Sequence, residues 1–370
     1  MKKEISEENI VEEKDNIFSN NMSTVKESKK FLCVSLLKSG PSKIKSNDPN
    51  EFSDTIKKSE VSWVDCKVND LVNESKKIAD RYNFNSNLIE ALIESKYSAY
   101  EDFDKELGLT LPAIRVQGLD VEVNKLLILM KENLIITIHT ERVTRTRMFA
   151  KYAESFLKKI PTKKSREDKV SLVLIRILDE NSDKNFEGLR KIEEESDEIN
   201  KLLIDPKTPR IKISSEIYRM KHALITYLNA LWASVDVIHS LRYGDAELIT
   251  DDKTILVRMT VLSKDLTMHI SLSEHMSEVL ASGMEVMQSI YNNQLQVLNN
   301  RLSLMMVWLT IFGTAVLVPN TLGTIYGIPQ VSEHLKWHTI LYSLILSSVL
   351  SGLIVYYYIK SKKMIPEKVE

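Results

Sequence analysis

The chain has 370 residues, and its 50 basic and 51 acidic side chains give a formal net charge of −1 at pH 7. This balance argues against a nucleic-acid-binding protein, which needs a basic excess. The ten glycines and nine prolines are few for this length and favour a helix-rich protein. Cys33 and Cys66 each lie in an apolar run without a CxxC pair, which predicts reduced core thiols.

Residues 1–30 are rich in Lys, Glu, Asn and Ser, with isolated apolar residues. Such a segment buries too little apolar area to offset the entropy of ordering, so we predict a disordered N-terminal tail. The segment also lacks the apolar core of a signal peptide. We therefore expect the large soluble part of the chain to stay in the cytoplasm.

Residues 31–160 combine short strand-like and helical patterns. Helices are predicted at 69–82, capped by Asn69 or Asp70, and at 86–95, whereas SGPSKIKSNDPN is predicted to be a loop. Strands rich in apolar and β-branched residues are predicted at 31–37, 61–66, 109–116, 121–130 and 133–140. Interleaved strands and helices predict a cytoplasmic α/β domain. His139, at the end of the last strand, is interpreted as a hydrogen-bonding residue.

Residues 161–250 are predicted to form a helical arm. Apolar residues recur at helical spacing over 165–204, and the two prolines of DPKTPR then interrupt the pattern. A second helix is predicted over 214–242. Ser214 or Ser215 is its expected N-cap, and Gly244 is its expected end.

A further helical pattern begins near Asp252 and contains no proline before Pro319. Residues 251–301 are predicted to form a stalk helix that continues into the apolar run after it, giving one helix of about 70 residues and about 100 Å. Its apolar stripe has roughly heptad spacing and comprises Ile255, Leu262, Leu266, Ile270, Met276, Val279, Leu280, Val286, Ile290, Leu295, Leu298 and Leu302.

Two long runs near the end of the chain, 302–325 and 337–359, contain no charged residue. Each exceeds the roughly 20 residues that a helix needs to cross a bilayer. They predict a transmembrane hairpin with helices at 302–326 and 337–359, a loop at 327–336 and a basic tail at 360–370. Lys360, Lys362 and Lys363 follow the second span, so both termini are expected in the cytoplasm and the protein in the plasma membrane.

This order of parts resembles the CorA magnesium channels of the two-transmembrane GxN family over about residues 61–363. VSWVD, SKYSAYEDFDKELGLTL and NLIITIH resemble the cytoplasmic domain of that family, and LNNRLSLMMVWLT followed by a proline and IYG resembles its pore helix. The resemblance implies an α+β membrane protein that forms a homopentameric funnel in the lipid membrane. It also implies passive influx of a divalent cation, Mg²⁺ first of all, gated by the cytoplasmic domain and without a cofactor.

The sequence departs from the family at the end of the first span. The family has Gly-Met-Asn after an aromatic residue, whereas this chain has Tyr326, Gly327, Ile328 and Pro329. In the family the Asn of each of five chains offers an amide oxygen to a hydrated cation at the outer mouth, and proline has no such group. Magnesium keeps most of its waters and is met by polar oxygens. The backbone carbonyls of Gly327 and Ile328 are therefore expected to replace that Asn in part.

The few polar residues of the first span share one helix face with residues that recur every three to four positions as far as Gly327, and in a pentamer this face would line the pore. The predicted pore-lining residues are Ser303, Met306, Leu309 or Thr310, Gly313, Leu317, Asn320 and Thr324. Asn320 is interpreted as a cation ligand inside the pore, or alternatively as a cap for backbone loosened by Pro319. Met306, Leu309 and Leu317 are interpreted as hydrophobic constrictions, or alternatively as ordinary packing residues.

Several charged residues outside the spans have two interpretations. Glu333 either attracts cations to the outer mouth or keeps the loop soluble, and His334 with His338 either holds a transition metal or is solvated. Lys360, Lys362 and Lys363 are expected to contact anionic headgroups. The family suggests a regulatory cation site between subunits, for which the candidates are Asp102, Asp104, Glu193, Glu194, Glu195, Asp251 and Asp252; the alternative is a solvated charged face.

Three hypotheses for the function remain. The first is a CorA-type divalent cation channel for Mg²⁺. The second is a transporter of Zn²⁺, Co²⁺ or Ni²⁺ of the ZntB kind. The third, motivated by the Gly-Ile-Pro segment, is a non-conducting membrane-anchored scaffold. The sequence has no GxxxxGK motif and no evident nucleophile–base pair, so neither an ATP-driven pump nor an enzyme is expected.

Overall fold

The computed structural model describes residues 29–103, 105–204, 209–244, 246–332 and 335–362. The predicted N-terminal tail lies outside these ranges up to residue 28, and the predicted basic tail lies outside them beyond Lys362. The chain divides into two compact units, Met1–Leu280 and Ala281–Glu370.

A mixed β-sheet of seven described strands lies at the centre of the first unit. The strands are β1 (Phe31–Leu37), β2 (Gly40–Ser46), β3 (Ser59–Val68), β4 (Ala99–Asp102), β5 (Glu106–Gln117), β6 (Asp120–Lys131) and β7 (Leu134–Thr140). Their order across the sheet is β2-β1-β3-β7-β6-β5-β4. The central pair β3–β7 is parallel, and the other described pairs are antiparallel.

The five predicted strands are confirmed, and β3, β5 and β6 extend beyond their predicted ends. The prediction of a loop at SGPSKIKSNDPN is wrong, because Gly40–Ser46 pairs along its whole length with β1. Its lysines suit an edge strand, which has a neighbour on one side only. Gly40 opens this strand at a φ of +124°, a conformation that residues with a Cβ rarely adopt.

Helices cover both faces of the sheet. They are α1 (Ser53–Lys58), α2 (Leu71–Arg81), α3 (Ser86–Glu94) and α4 (Thr146–Lys158), of which α1 and α4 were not predicted. Side chains of β3 alternate between the faces. Val64 and Cys66 join the core beneath α2 and α3, while the Trp63 ring packs 4.6 Å from that of Phe149 on α4. Cys33 and Cys66 are buried free thiols, as predicted.

Helix caps were predicted with mixed success. Asp70 caps α2, since its carboxylate accepts the backbone N–H groups of Val72 and Asn73 at 3.0 and 3.2 Å.

The two long helices that pack on β5 are α5 (Arg166–Ile204) and α6 (Arg210–Tyr243). The predicted N-cap of α6 is wrong, because the helix starts directly after Pro209, whose fixed φ of −62° suits that position. Gly244 ends α6 as predicted.

The long helix α7 (Lys253–Tyr326) is continuous over 74 residues, as predicted. The residues of its apolar stripe differ in burial between the two units. In the first unit Ile255, Leu266 and Leu280 are buried, whereas in the second unit Ile290 and Leu302 are exposed on this single chain. The predicted loop after α7 is wrong in part, because it contains the short helix α8 (Pro329–Ser332). Helix α9 (Trp337–Ser361) follows.

Candidate functional site

Two described helices of the second unit are long and apolar enough to cross a membrane. They are the end of α7 and the whole of α9, with mean hydropathies of 2.0 and 1.9 over 18-residue windows. Only 6% of each window is buried. A core helix of a soluble protein would be mostly buried, so this exposure favours a lipid or protein environment that the single chain does not provide.

The two apolar helices contact each other through small and hydroxyl-bearing residues. Ser348 Oγ donates a 2.7 Å hydrogen bond to the carbonyl oxygen of Ala315, and a Cβ added to Gly352 would lie 3.5 Å from the Ala315 Cβ. Nearer the end of α7, Ser343 Oγ donates to the Tyr326 hydroxyl at 3.2 Å. Small residues let helix backbones approach closely in a membrane, and these contacts define one face of α7.

The predicted pore-lining residues occupy the opposite face of α7. At 3.6 residues per turn, their centre lies roughly 180° from the face that contacts α9. Met306, Leu309 and Leu317 are 70%, 72% and 63% exposed. The remaining members are Ser303, Asn320 and Thr324, which are exposed, and Gly313, where an added Cβ would meet open space within 4 Å. The sequence pattern thus brings this set to one unpartnered face.

The structure bears on one of the two interpretations of Asn320, the capping of backbone near Pro319. Within the described chain, its side chain forms no hydrogen bond with the backbone around Pro319, and it is exposed. The carbonyl that the proline leaves without an intrahelical donor belongs to Ala315 and is bonded by Ser348. Asn320 therefore does not cap this carbonyl, and its role as a cation ligand stays a prediction. Sequence reasoning missed Ser348, although a proline four residues after a carbonyl signals that a donor is needed.

The segment that differs from the family ends α7. Tyr326 is half-buried against α9, and Gly327, Ile328 and Pro329 are exposed. The Gly327 N–H donates to the Gly323 carbonyl at 3.0 Å, and the Ile328 carbonyl accepts the Val331 N–H at 3.0 Å. Pro329 opens α8, a position where its missing N–H has no helical partner to lose. One lone pair of the Ile328 carbonyl is thus already used within the chain.

The other predicted site residues are scattered. Glu333, His334, Lys363 and Asp104 lie outside the described residues. Lys360 is exposed, with its Nζ 6.0 Å from the centre of the Tyr356 ring, and Lys362 ends α9. The described residues of the single chain contain no group of three or more His, Cys, Asp or Glu able to hold one ion, so a regulatory site between subunits stays a prediction. Asp252 instead pairs with Lys164, whose hydrogen bond lowers the pKa of that carboxyl to about 2.

The chain resembles several solved structures in fold. The complete structure of the CorA magnesium transporter from Methanocaldococcus jannaschii matches 89% of this chain and 97% of its own, with 20% identity and a TM-score of 0.66. The full-length CmaX protein matches 90% of this chain and 99% of its own, with 14% identity and a TM-score of 0.61. The ZntB cytoplasmic domain from Vibrio parahaemolyticus matches 71% and 98%, with 14% identity and a TM-score of 0.54.

No curated protein sequence matches the chain significantly. The model of one family, described as CorA-like Mg²⁺ transporter protein, matches residues 58–362. This match spans both the α/β sheet and the two apolar helices. The chain therefore belongs to the CorA family.

Proposed function

We propose that the chain is one subunit of a homopentameric channel that carries Mg²⁺ passively across the plasma membrane. Family membership makes it a divalent cation transporter of the membrane, and the choice of ion, the pentamer and the passive mode are the proposed part. The observation that carries the proposal is the exposed face of α7 opposite α9, which presents Ser303, Asn320 and Thr324 along one line.

A face with this composition is poorly suited to lipid. A polar amide such as that of Asn320 is costly in hydrocarbon and usually faces protein or water. If five copies of α7 surround an axis, the same face lines a narrow aqueous path and the contacts with α9 remain on the outside. Met306, Leu309 and Leu317 then narrow the path with apolar rings, which can gate a channel by dewetting.

Ion selection is assigned to two positions. Asn320 offers an amide oxygen within the span, and the Gly327 carbonyl offers a backbone oxygen at the mouth. The Ile328 carbonyl is a weaker candidate because it already accepts the Val331 N–H. Mg²⁺ releases its waters reluctantly, so both groups would contact a largely hydrated ion.

The membrane potential supplies the driving force. An inward-negative potential stabilises each positive charge inside by about 2.3 kcal/mol per 100 mV, and a divalent ion gains twice that. With both termini in the cytoplasm, the first unit lies on the side where the cation accumulates. We assign it the gating role, in which it responds to the cation that has entered.

Divalent flux into proteoliposomes tests the proposal. We expect potential-driven Mg²⁺ influx through the wild-type protein, and influx reduced several-fold by Asn320→Ala. Ser347→Ala is the matched control, because the substitution removes a polar group from the other span. Ser347 Oγ donates only within its own helix, to the Leu344 carbonyl at 2.9 Å. Well-folded oligomers without any divalent flux would favour a non-conducting scaffold and overturn the proposal.

Zinc transport is the second candidate, because a ZntB cytoplasmic domain has the same fold as the first unit. Competition separates the two candidates in the same proteoliposomes. Excess Mg²⁺ should suppress Zn²⁺ entry if Mg²⁺ is the cargo. Zn²⁺ entry that persists under a large excess of Mg²⁺ would move the assignment to the transition-metal transporters.

A further inference from the structure

A strongly basic cavity lies in the first unit, far along the sequence from the apolar helices. The end of β5, the turn from β7 into α4 and the middle of α5 enclose a volume of about 530 Å³, which is within the usual range of small-molecule sites. Two carboxylates, Glu141 and Glu187, face six cationic side chains there. The cations are Arg115, Arg142, Arg145, Arg147, Lys184 and Lys191.

Arg145 is the buried member of this group, at 6% exposure. Its Nη2 donates to the Ile114 carbonyl and, at 2.7 Å, to Asn185 Oδ1. Its Nε is buried without a hydrogen-bond partner in the described chain, and Arg145 forms no ion pair with a described carboxylate. Burial lowers the pKa of Arg145 to about 10, so the guanidinium is still charged at neutral pH. Glu187 favours the charged form of Arg145 from a distance but does not pair with it. A buried charge without a directly paired counter-charge is costly, and a bound anion would offset that cost.

The remaining cations keep the cavity positive. Arg142 and Arg147 lie 3.6 and 3.8 Å from Glu122 and Glu141 in exposed pairs, which contribute little and are easily exchanged. Arg115 and Lys191 are exposed and form no ion pair with any carboxylate that the structure describes. Lys184 pairs with Glu187 at 2.6 Å, and the six cations still outnumber the two carboxylates. A concave surface with such an excess of positive charge focuses the field on an entering anion.

We propose that this cavity binds a multiply charged phosphate compound, with Arg145 as the buried anchor and Arg115 and Lys191 at the rim. Four of the six cations are arginines, whose planar forks bind phosphate oxygens in a bidentate manner. None of the described lining residues is aromatic, so the site recognises the phosphate groups rather than a stacked base. The phosphate would come either from a free polyphosphate or from a phospholipid headgroup.

A neighbouring cavity of about 420 Å³ shares Arg147 and is lined by lysines. It is a weaker candidate for two reasons. Its cations include no buried arginine, and Lys43 donates to the Ala150 carbonyl instead of facing a ligand. Lys45 lines this second cavity and not the first, so substituting Lys45 shows whether a ligand binds in the second cavity.

Calorimetric titration of the full-length protein with tripolyphosphate tests the proposal. The protein is held in phosphatidylcholine nanodiscs without divalent cations. We expect saturable binding of one tripolyphosphate per chain, weakened about tenfold or more in Arg115→Gln/Lys191→Gln, since charge-assisted hydrogen bonds are lost. Arg190→Gln, adjacent to Lys191 but outside the cavity, and Lys45→Gln are the controls and should bind as the wild type does.

Arg145→Lys and Arg145→Gln extend the test to the anchor, with thermal unfolding as the check on folding. Folded Arg145→Gln should not bind, and Arg145→Lys should bind weakly. Repeating the titration in discs with cardiolipin, whose headgroup carries two phosphates, identifies the source. If the lipid weakens tripolyphosphate binding to the wild type but not to Arg115→Gln/Lys191→Gln, the ligand is a headgroup. If the lipid leaves tripolyphosphate binding to the wild type unchanged, the ligand is a free phosphate. No saturable binding by the wild type, or equal weakening by Arg190→Gln, would overturn the proposal.

Discussion

Ser348 replaces the hydrogen-bond donor that Pro319 removes from the carbonyl of Ala315. Ala315 lies four residues before Pro319, whose ring nitrogen has no hydrogen, so the usual bond of the helix is missing there. Ser348 Oγ donates to that oxygen from α9 at 2.7 Å. Because an unpaired carbonyl is costly in hydrocarbon, this bond couples the proline position of one apolar helix to the other.

The coupling predicts a non-additive mutant cycle. Ser348→Ala should destabilise the protein by about 1 kcal/mol, since the Ala315 carbonyl loses its donor. In a Pro319→Ala background the residue at 319 supplies its own N–H, so the same change should cost little. Unfolding in detergent measures both values, with Ser347→Ala as the control. Equal costs of Ser348→Ala in the two backgrounds would show that the bond does not replace the helical one.

The pH dependence of stability should report on His139. Its Nδ1 lies 2.8 Å from the Thr140 carbonyl oxygen and its Nε2 lies 3.1 Å from Asp65 Oδ1, in a largely buried site. Burial lowers the pKa of His139, but the charge and hydrogen bond of Asp65 and the Thr140 carbonyl outweigh it and raise the pKa above its usual value. The charged imidazole therefore stabilises the fold below the unfolded-state pKa, and this contribution is lost as the pH rises through the higher folded-state value.

Thermal unfolding of the full chain between about pH 5 and pH 9 measures this loss, because the range brackets the ordinary histidine pKa. The melting temperature of the wild type should fall more with rising pH than that of His139→Gln. His275→Gln is the control, because His275 is 70% exposed and lies 3.9 Å from Glu278. Parallel pH curves for wild type and His139→Gln would contradict the prediction.

The sequence predicted five of the seven described strands and most of the helices, but not the helices α1 and α4. It missed β2 and β4, which are the two edges of the described sheet. An edge strand pairs on one side only and tolerates lysine and acidic residues, so the polar GPSKIKS and AYED carry no alternating pattern. The start of α6 was misplaced for a different reason, because a proline that interrupts one helix can also precede the next.

The candidate site was predictable where a single helix defines it. Helical spacing alone placed Asn320, Leu317 and Thr324 on one face, and the structure leaves that face exposed. Contacts between helices were not predictable in the same way. The Ser348–Ala315 bond depends on the register of α7 against α9, and the basic cavity joins residues of β5 and α5 that have no common sequence run.

Thiol reactivity should report on the core of the first unit. Burial raises the pKa of the Cys33 thiol to about 11, although its contact with Ser35 lowers it, and burial also raises that of Cys66. Because the thiolate is the reactive form, neither cysteine should react with a maleimide at neutral pH in the folded protein. Mass spectrometry should find two labels per chain after denaturation in urea. Rapid native labelling of Cys66 would mean that this part of the sheet opens readily.

Leu317 provides a test of the proposed apolar constriction. Leu317→Ser should raise the resting influx of Mg²⁺ in proteoliposomes several-fold, because a hydroxyl favours wetting of a narrow apolar path. Leu346→Ser is the matched control, since Leu346 is 66% exposed on α9 and Leu317 is 63% exposed on α7. If Leu317 faces lipid instead, both serines meet the same hydrocarbon and both variants should show unchanged flux with a similar loss of stability. A leak in Leu317→Ser alone would therefore separate a pore-facing leucine from a lipid-facing one.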